Sequence, residues 1–273
     1  MLEFSPCKIN LGLHVVEKRG DGFHNIETVF YPILWEDALE VVESNDNQPF
    51  TINFSGKIIE GDLTENIIYK AYVLIKEKYP VPNIKVHLHK NIPMGAGLGG
   101  GSSNGATFIN LIDKKFNLNI PLSTKLDIAK KLGSDCAFFI EQKPVFATEK
   151  GDVFEPITIN LNAYYILVVY PQIHSNTKIA YSGVTPKKPE LSIRSIIEQK
   201  PINEWKNLLV NDFENSVFNA FPEIKELKEL LYKQNAIYAC MSGSGSSVFG
   251  IFDKRPTIEF PKHYEYFLQE PSL

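Results

Sequence analysis

A glycine-rich stretch has the residue types that bind phosphate. Residues 93–106 have the sequence Pro-Met-Gly-Ala-Gly-Leu-Gly-Gly-Gly-Ser-Ser-Asn-Gly-Ala, and a segment with so many glycines loses much backbone entropy when it becomes ordered. Residues 84–89 alternate apolar and polar side chains, which predicts a strand, and residues 106–116 carry apolar residues at helical spacing. The order strand, glycine loop, helix directs backbone N–H groups and the positive end of a helix dipole towards one point. It therefore predicts a phosphate-binding loop.

Two common phosphate-loop patterns fit this stretch incompletely. Gly95, Gly97 and Gly100 satisfy G-x-G-x-x-G, but residues 117–124 contain no carboxylate where a dinucleotide fold needs one. Gly95 and Gly100 also have the spacing of the Walker pattern, but Gly101 stands where that pattern requires lysine. A dinucleotide loop and a structural hinge remain alternatives to a third pattern.

The third pattern includes two serines at the predicted helix start. The loop resembles the signature loop of the galactokinase, homoserine kinase, mevalonate kinase and phosphomevalonate kinase superfamily through Pro93-x-x-x-Gly97-Leu98-x-x-x-Ser102-Ser103-x-x-Ala106. Hydroxyls at a helix start can cap it and also face phosphate or a bound magnesium ion. The resemblance implies that ATP is bound by Pro93, Met94, Gly95, Ala96, Gly97, Leu98, Gly99, Gly100, Gly101, Ser102 and Ser103.

The N-terminal segment places two polar residues on one face of a predicted strand. Residues 8–16 alternate polar and apolar side chains along most of their length, so Lys8 and Asn10 point the same way. They lie either on a solvated strand face or towards a binding site. The following turn carries Phe23 and His24, and an aromatic ring at such a turn indicates either local packing or a binding partner.

Several blocks, in order along the chain, resemble one family within that superfamily. This family is 4-diphosphocytidyl-2-C-methyl-D-erythritol kinase, of the non-mevalonate isoprenoid pathway. Phe23 departs from the tyrosine that is usual in the family, but either ring can stack on a base. The blocks are residues 8–13, 18–24, 29–30, the glycine loop, 133–139 and 241–247.

The resemblance implies an α+β fold of two domains with the active site in the cleft between them. Residues 1–156 would form a ribosomal-protein-S5-like, ATP-binding domain, and residues 157–273 a ferredoxin-like domain on the substrate side. Residues 164–170 are apolar on both faces and predict a central strand, whereas residues 254–273 show no clear pattern. The implied reaction is phosphoryl transfer from ATP, with Mg²⁺, to the 2-hydroxyl of the small-molecule substrate 4-diphosphocytidyl-2-C-methyl-D-erythritol.

Asp135 is the candidate for proton transfer. It precedes the apolar residues 136–140, and a carboxylate entering such a run is costly unless it is paired or functional. Lys8 is the candidate cation for the pairing, and a helix cap is the alternative role for Asp135. By the resemblance, Asp135 accepts or orients the hydroxyl proton. Lys8 keeps Asp135 ionised and offsets charge on the transferred group.

Two further residues have alternative roles. Asn66 lies near the adenine of ATP by the resemblance, or it belongs only to the start of a helix predicted for residues 63–79, in which Thr64 is a candidate cap. Thr177 contacts the substrate by the resemblance, or it caps a short helix that follows it.

The resemblance also defines the substrate side. Phe23 and His24 would take the cytosine by stacking and by hydrogen bonds to its edge, with Asn10 and Thr177 on the rest of the substrate. A second glycine-serine segment is either a tight turn or a loop that closes over the phosphate site. It contains Ser242, Gly243, Ser244 and Gly245.

Composition narrows the functional class. The chain has 273 residues and a net charge of −4 without a basic cluster, which argues against nucleic acid as a partner and against an RNA-binding module. No apolar run has the length of a membrane span and the N-terminal residues lack a cationic-then-apolar pattern, so we expect a cytoplasmic protein without a membrane partner. A homoserine or mevalonate kinase and a dinucleotide-dependent oxidoreductase remain alternatives. The pattern assigns neither metal ligands nor an oligomeric state.

The three cysteines are predicted to be reduced thiols. Cys7, Cys136 and Cys240 are odd in number, far apart and without metal-site spacing. Because Cys7 and Cys136 adjoin Lys8 and Asp135, their positions predict inhibition by a thiol reagent and protection by ATP with substrate.

Overall fold

A computed structural model describes residues 1–272 of the chain. It contains strands and helices in mixed order, as expected for an α+β protein. The strands are β1 (Leu2–Lys18), β2 (His24–Glu43), β3 (Phe50–Gly56), β4 (Ile84–Lys90), β5 (Val145–Thr148), β6 (Val153–Pro156), β7 (Tyr165–Tyr170), β8 (Tyr238–Met241), β9 (Val248–Phe252) and β10 (Glu265–Gln269).

The helices are short to medium in length, and none in the described part of the chain is long and apolar enough to cross a membrane. Two short 3-10 helices cover Leu63–Glu65 and Ile202–Glu204. The α-helices are α1 (Ile67–Lys76), α2 (Gly100–Phe116), α3 (Leu122–Leu132), α4 (Phe138–Glu141), α5 (Thr177–Ser182), α6 (Ile193–Gln199), α7 (Trp205–Leu208), α8 (Glu214–Ala220) and α9 (Pro222–Lys233).

The chain divides into two compact units, and both contain residues from distant parts of the sequence. β1, β2 and the glycine loop each contribute residues to both units. The predicted domain boundary after residue 156 stays a prediction. The first unit comprises Met1–Cys7, Leu34–Met94 and Gly99–Lys143, and the second comprises Lys8–Ile33, Gly95–Leu98 and the residues from Pro144 on.

The first unit contains the strand that leads into the glycine loop. β4 pairs in parallel with β3 and antiparallel with Ala38–Glu43 of β2, giving the strand order β3-β4-β2. Along β4 buried and exposed residues alternate, because successive side chains of a strand point to opposite faces. The predicted strand at residues 84–89 is therefore confirmed.

Two helical segments of the first unit, the 3-10 turn Leu63–Glu65 and α1, begin at side-chain caps that differ from the expected one. Asp62 accepts a hydrogen bond from the Thr64 backbone N–H at 2.8 Å, and Asn66 accepts one from Ile68 N at 2.9 Å. Thr64 is thus not the cap, and the single helix predicted for residues 63–79 is a 3-10 turn followed by α1. Since a capping oxygen satisfies N–H groups that have no partner within the helix, each cap fixes a new helix start.

The second unit has a sheet of strand order β10-β7-β9-β8. β7 lies between β10 and β9, and Ile166, Leu167, Val168 and Val169 are all buried, so the predicted central strand is confirmed. Apolar residues of α8 and α9 share a core cluster with this sheet. β10 comes from the tail for which no element was predicted. Separately, β2 pairs through Thr28–Phe30 with β5, and β5 pairs with β6.

Candidate active site

The glycine loop joins β4 to α2, so the predicted order of strand, loop and helix is confirmed. Gly95, Gly97 and Gly99 have φ angles of 67°, 77° and 70°, in a backbone region that residues with a Cβ atom rarely adopt. Gly99 is the N-cap of α2 and has no side chain to accept from the first N–H groups of the helix. Those groups point away from the helix body and are available to an anion.

The second glycine loop packs directly against the first within the second unit. A Cβ atom on Gly97 would lie 2.3 Å from the Ser242 carbonyl oxygen and 2.9 Å from that of Gly245. Ser242 Oγ donates to Gly97 O at 3.1 Å, and Ser247 N donates to Ala96 O at 3.1 Å. Residues 242–245 are therefore more than an isolated tight turn, because they hold the backbone of the phosphate-loop candidate.

Lys8 and Asn10 are buried at the same place. Their exposed fractions are 4% and 2%, so the interpretation as a solvated strand face is wrong. Lys8 Nζ donates to Asn10 Oδ1 at 2.6 Å and to Gly97 O at 3.3 Å, and Asn10 Nδ2 donates to Thr28 Oγ1 at 2.9 Å. A Cβ atom on Gly243 would lie 3.6 Å from Lys8 Nζ. The ammonium group is thus held beside both glycine loops.

Thr177 is the first residue of α5, and Asn176 caps this helix by accepting from Lys178 N at 2.8 Å. The helix-cap interpretation of Thr177 is therefore wrong. Its exposed Oγ1 lies 3.3 Å from Ser244 Oγ of the second glycine loop. Close by, the buried Ser175 hydroxyl has no hydrogen-bond partner among the described residues.

The turn between β1 and β2 carries an exposed ring and a stacked ring. Phe23 is 61% exposed, and the Lys150 ammonium lies 5.5 Å from the centre of its ring. The His24 ring stacks on Tyr181 with centroids 4.7 Å apart. The local-packing interpretation holds for His24, whereas Phe23 keeps an open ring surface that suits a planar partner.

Asp135 lies between α3 and α4 in the first unit. Ala137 is the N-cap position of α4 and no side chain caps that helix, so the capping interpretation of Asp135 is wrong. Ser134 Oγ donates to Asp135 Oδ1 at 3.2 Å. Its catalytic role, and the pairing with Lys8, stay predictions.

Two serines occupy the first turn of α2. Ser103 is fully buried, and its hydroxyl has no hydrogen-bond partner among residues 1–272. Ser102 hydrogen-bonds the Cys136 thiol, but burial outweighs that bond and raises the pKa of Cys136 to about 11. An unpartnered hydroxyl at a helix N-terminus fits a phosphate oxygen or a water of a hydrated Mg²⁺ ion. Within the described residues no group of three or more His, Cys, Asp or Glu could hold a metal.

Asn66 has the helix-start role. Its side chain caps α1 by accepting from Ile68 N. Its predicted position near adenine is not decided by this contact and stays a prediction.

Comparison with known proteins identifies the family. The GHMP kinases N terminal domain matches residues 66–143, and the GHMP kinases C terminal domain matches residues 193–260. The 4-diphosphocytidyl-2-C-methyl-D-erythritol kinase of Cytophaga hutchinsonii is 50% identical over 257 residues, 94% of each chain. That of Bacteroides fragilis is 47% identical over 259 residues, again 94% of each chain. The chain belongs to the 4-diphosphocytidyl-2-C-methyl-D-erythritol kinase family of GHMP kinases.

Solved structures agree with this family and with the α+β kinase fold, which confirms the expected fold class. A crystal structure of 4-(cytidine 5'-diphospho)-2C-methyl-D-erythritol kinase has a TM-score of 0.78 at 30% identity, covering 92% of this chain and 90% of that one. Methanococcus jannaschii mevalonate kinase has a TM-score of 0.67 at 14% identity over 92% of this chain and 90% of its own, which shows a shared fold.

Two residues without a local sequence signal support elements of the second unit. Asn211 Nδ2 donates to the carbonyl oxygens of Met241 and Gly243 at 2.8 Å each, so it anchors the second glycine loop. Tyr181 supports His24 by stacking. No local pattern connects Asn211 with a loop 30 residues later.

Gly97→Ala and Gly101→Ala make a matched pair of substitutions. Ala at position 97 meets two carbonyl oxygens and a left-handed φ, so it should lower the free energy of unfolding by about 2 kcal/mol or more and weaken ATP binding. Nothing lies within 4 Å of a Cβ at position 101, where Ala should leave stability unchanged or raise it by about 0.5 kcal/mol. Urea unfolding and ATP titration measure both. Equal stability of the two variants would contradict the close contact.

Thiol chemistry gives a second prediction. Cys7, Cys136 and Cys240 are all buried, which argues against the inhibition expected from their sequence positions. With the pKa of Cys136 raised to about 11 by burial, only about one molecule in a thousand carries its thiolate at pH 8. Iodoacetamide at pH 8 should therefore leave the native protein unlabelled and active, while the urea-unfolded chain should be labelled on all three cysteines. Mass spectrometry of both samples measures the labelling. Rapid native labelling of Cys136 with loss of activity would contradict this.

Proposed function

We propose that this chain transfers the terminal phosphoryl group of ATP to the 2-hydroxyl of 4-diphosphocytidyl-2-C-methyl-D-erythritol, in non-mevalonate isoprenoid precursor synthesis. The observation that carries the proposal is the buried Lys8 ammonium, which donates to Gly97 O of the glycine loop. A fixed cation there suits a reaction in which charge develops on phosphate oxygens. The names of relatives at 50% and 47% identity supply the substrate.

The glycine loop is the proposed ATP phosphate site. Backbone N–H groups at the start of α2 and the hydroxyls of Ser102 and Ser103 would bind the phosphates, and Asn66 would lie near the adenine. At Gly101 nothing lies within 4 Å of where a Cβ atom would stand, so the phosphates can approach the main chain there without a side chain in the way. The proposed ATP residues are Pro93 to Ser103 together with Asn66.

A magnesium ion fits the hydroxyl chemistry at this helix start. Mg²⁺ binds few protein ligands and keeps several waters, so the Ser102 and Ser103 hydroxyls would contact the ion or its waters while the phosphates of ATP supply further ligands. When bound with ATP it neutralises phosphate charge.

Asp135 and Lys8 are the proposed catalytic residues. Asp135 would accept the proton of the attacking 2-hydroxyl, or orient that hydroxyl, so that the oxygen lone pair points at the phosphorus atom. Lys8 would stabilise the negative charge of the phosphoryl group in transfer. Its hydrogen bonds to Asn10 and Gly97 restrict its position before the substrate binds, which reduces the reorganisation needed in the transition state.

The substrate side is assigned to residues of the second unit. The exposed Phe23 ring would stack on cytosine, and His24, oriented by Tyr181, would hydrogen-bond its edge. Asn10 and Thr177 would contact the remaining part of the substrate. The loop Ser242, Gly243, Ser244 and Gly245 would lie on the phosphate side, supported by its contacts with Gly97. We infer a cytoplasmic enzyme, since ATP and a nucleotide-linked substrate are both available there.

The proposed activity is tested by ATP consumption with three alcohols in parallel. 4-Diphosphocytidyl-2-C-methyl-D-erythritol should be used with a kcat/KM about 100-fold or more above homoserine and mevalonate, because a site built to hydrogen-bond cytosine loses those contacts with the other two. Preference for homoserine or mevalonate would establish the related kinase activity instead. ATP binding without consumption on any alcohol would indicate a non-catalytic nucleotide-binding module.

Asp135→Ala should lower kcat by about two orders of magnitude or more while ATP still binds, because the proton acceptor is lost and the phosphate loop is intact. The matched control is Asp127→Ala, which removes an exposed carboxylate in α3 and should keep near-normal turnover. Steady-state kinetics and ATP titration on both variants measure the difference. Normal turnover of the Asp135 variant would remove this residue from the mechanism.

A further inference from the structure

A charged cluster is completely buried in the first unit. Asp37, Lys90 and Asn104 have exposed fractions of 0%, 3% and 2%. Asp37 comes from β2, Lys90 is the last residue of β4, and Asn104 lies in α2. Taken as the whole connection between β4 and α2, residues 91–99, the glycine loop begins directly after one member of the cluster and ends five residues before another.

Both carboxylate oxygens of Asp37 accept hydrogen bonds. Its Oδ1 accepts from the backbone N–H groups of Asn91 and Ile92 at 2.7 and 2.8 Å. Its Oδ2 accepts from Lys90 Nζ and from Asn104 Nδ2, the latter at 2.8 Å. One carboxylate thus binds the first residues of the glycine loop and the second turn of the helix that follows it.

Lys90 extends this arrangement to the first residue of α2. Its Nζ donates to Asn104 Oδ1 at 3.3 Å, and a Cβ atom on Gly100 would lie 2.9 Å from Nζ. Glycine at position 100 is therefore what allows the ammonium to lie against the helix start.

Burying these charged groups costs free energy, so a contribution to stability alone does not explain the cluster. Burial lowers the pKa of Lys90, and the charge of Asp37 opposes that shift. Replacing a buried ion pair by apolar residues of similar volume is often neutral or stabilising. A loop with left-handed glycines at positions 95, 97 and 99 has little order of its own. Fixing its two ends is a function that apolar residues cannot perform, because they do not bind backbone N–H groups.

We propose that Asp37, Lys90 and Asn104 form a positioning cluster that fixes both ends of the glycine loop and thereby sets the affinity for ATP. The inference rests on the proposed function of that loop as the phosphate site. None of the three is a catalytic residue, since each acts through the backbone of the loop and α2. The family comparison assigns no role to them.

The test compares Asp37→Asn with Asp113→Asn. Asp113 lies near the other end of α2, where its carboxylate pairs with Lys125 Nζ at 2.7 Å and accepts from Ile120 N at 2.9 Å. Each variant removes one paired carboxylate charge of the same unit, but only the first touches the glycine loop. Asn104→Ala is a milder second change that removes a neutral partner and keeps the ion pair.

The readouts are ATP dissociation constants by titration, KM for both substrates, kcat and urea unfolding. Asp37→Asn should raise the ATP dissociation constant and KM by about 10-fold or more, with KM for the cytidine substrate within about twofold, since small misplacements of a positioning element have effects of this size. Asn104→Ala should shift the ATP constants in the same direction by about threefold. Asp113→Asn should lose stability with unchanged ATP constants.

Two results would overturn the inference. One is unchanged ATP affinity in folded Asp37→Asn or, if that variant does not fold, in Asn104→Ala. The other is an ATP defect of equal size in Asp113→Asn, which would mean that general destabilisation explains the effect. Inactivity of the unmodified chain on the cytidine substrate is a separate outcome that would count against the proposed function, because the ATP titrations do not depend on turnover.

Discussion

The close approach of two backbone segments at Gly97 is the contact on which the rest of the site depends. The carbonyl oxygens of Ser242 and Gly245 occupy the space that any side chain at position 97 would need. With that space closed, Gly97 O becomes the acceptor for both Ser242 Oγ and Lys8 Nζ. A larger residue would separate the loops and remove both hydrogen bonds, which would leave the ammonium with its hydrogen bond to Asn10 alone among these contacts.

Hydrogen bonds of buried polar side chains fix the positions of the groups around Lys8 and the second glycine loop. Lys8 is held by Asn10 and Gly97, Asn10 by Thr28, and the second glycine loop by Asn211. Each such group would be costly in the interior without its partner, and with its partner it restricts the backbone to one arrangement. Phosphoryl transfer gains mainly from positioning and charge stabilisation, which is what fixed donors and a fixed cation provide.

Several alternatives in the sequence could be decided only by burial and capping geometry. The alternation around Lys8 predicts a strand correctly, but an amphipathic strand with a solvated polar face has the same pattern as one whose polar face lines a site. Asp135 precedes α4 and Thr177 is the first residue of α5, and only the structure shows that Ala137 and Asn176 occupy the cap positions. For Asn66 the structure shows a cap at a helix start, whereas the sequence suggested Thr64 as the capping residue.

The sequence by itself determined the family, the phosphate-loop candidate and the elements on both sides of it, because glycine spacing and side-chain periodicity are local properties. Only the tertiary structure shows that Asn211 donates to the second glycine loop, that Tyr181 stacks on His24, that Asp37 accepts from Asn91 N and that β10 completes the second sheet. These contacts join residues that are far apart in the sequence, up to about 160 positions for His24 and Tyr181. No local pattern encodes such a pairing, since it depends on which buried groups meet when the whole chain folds.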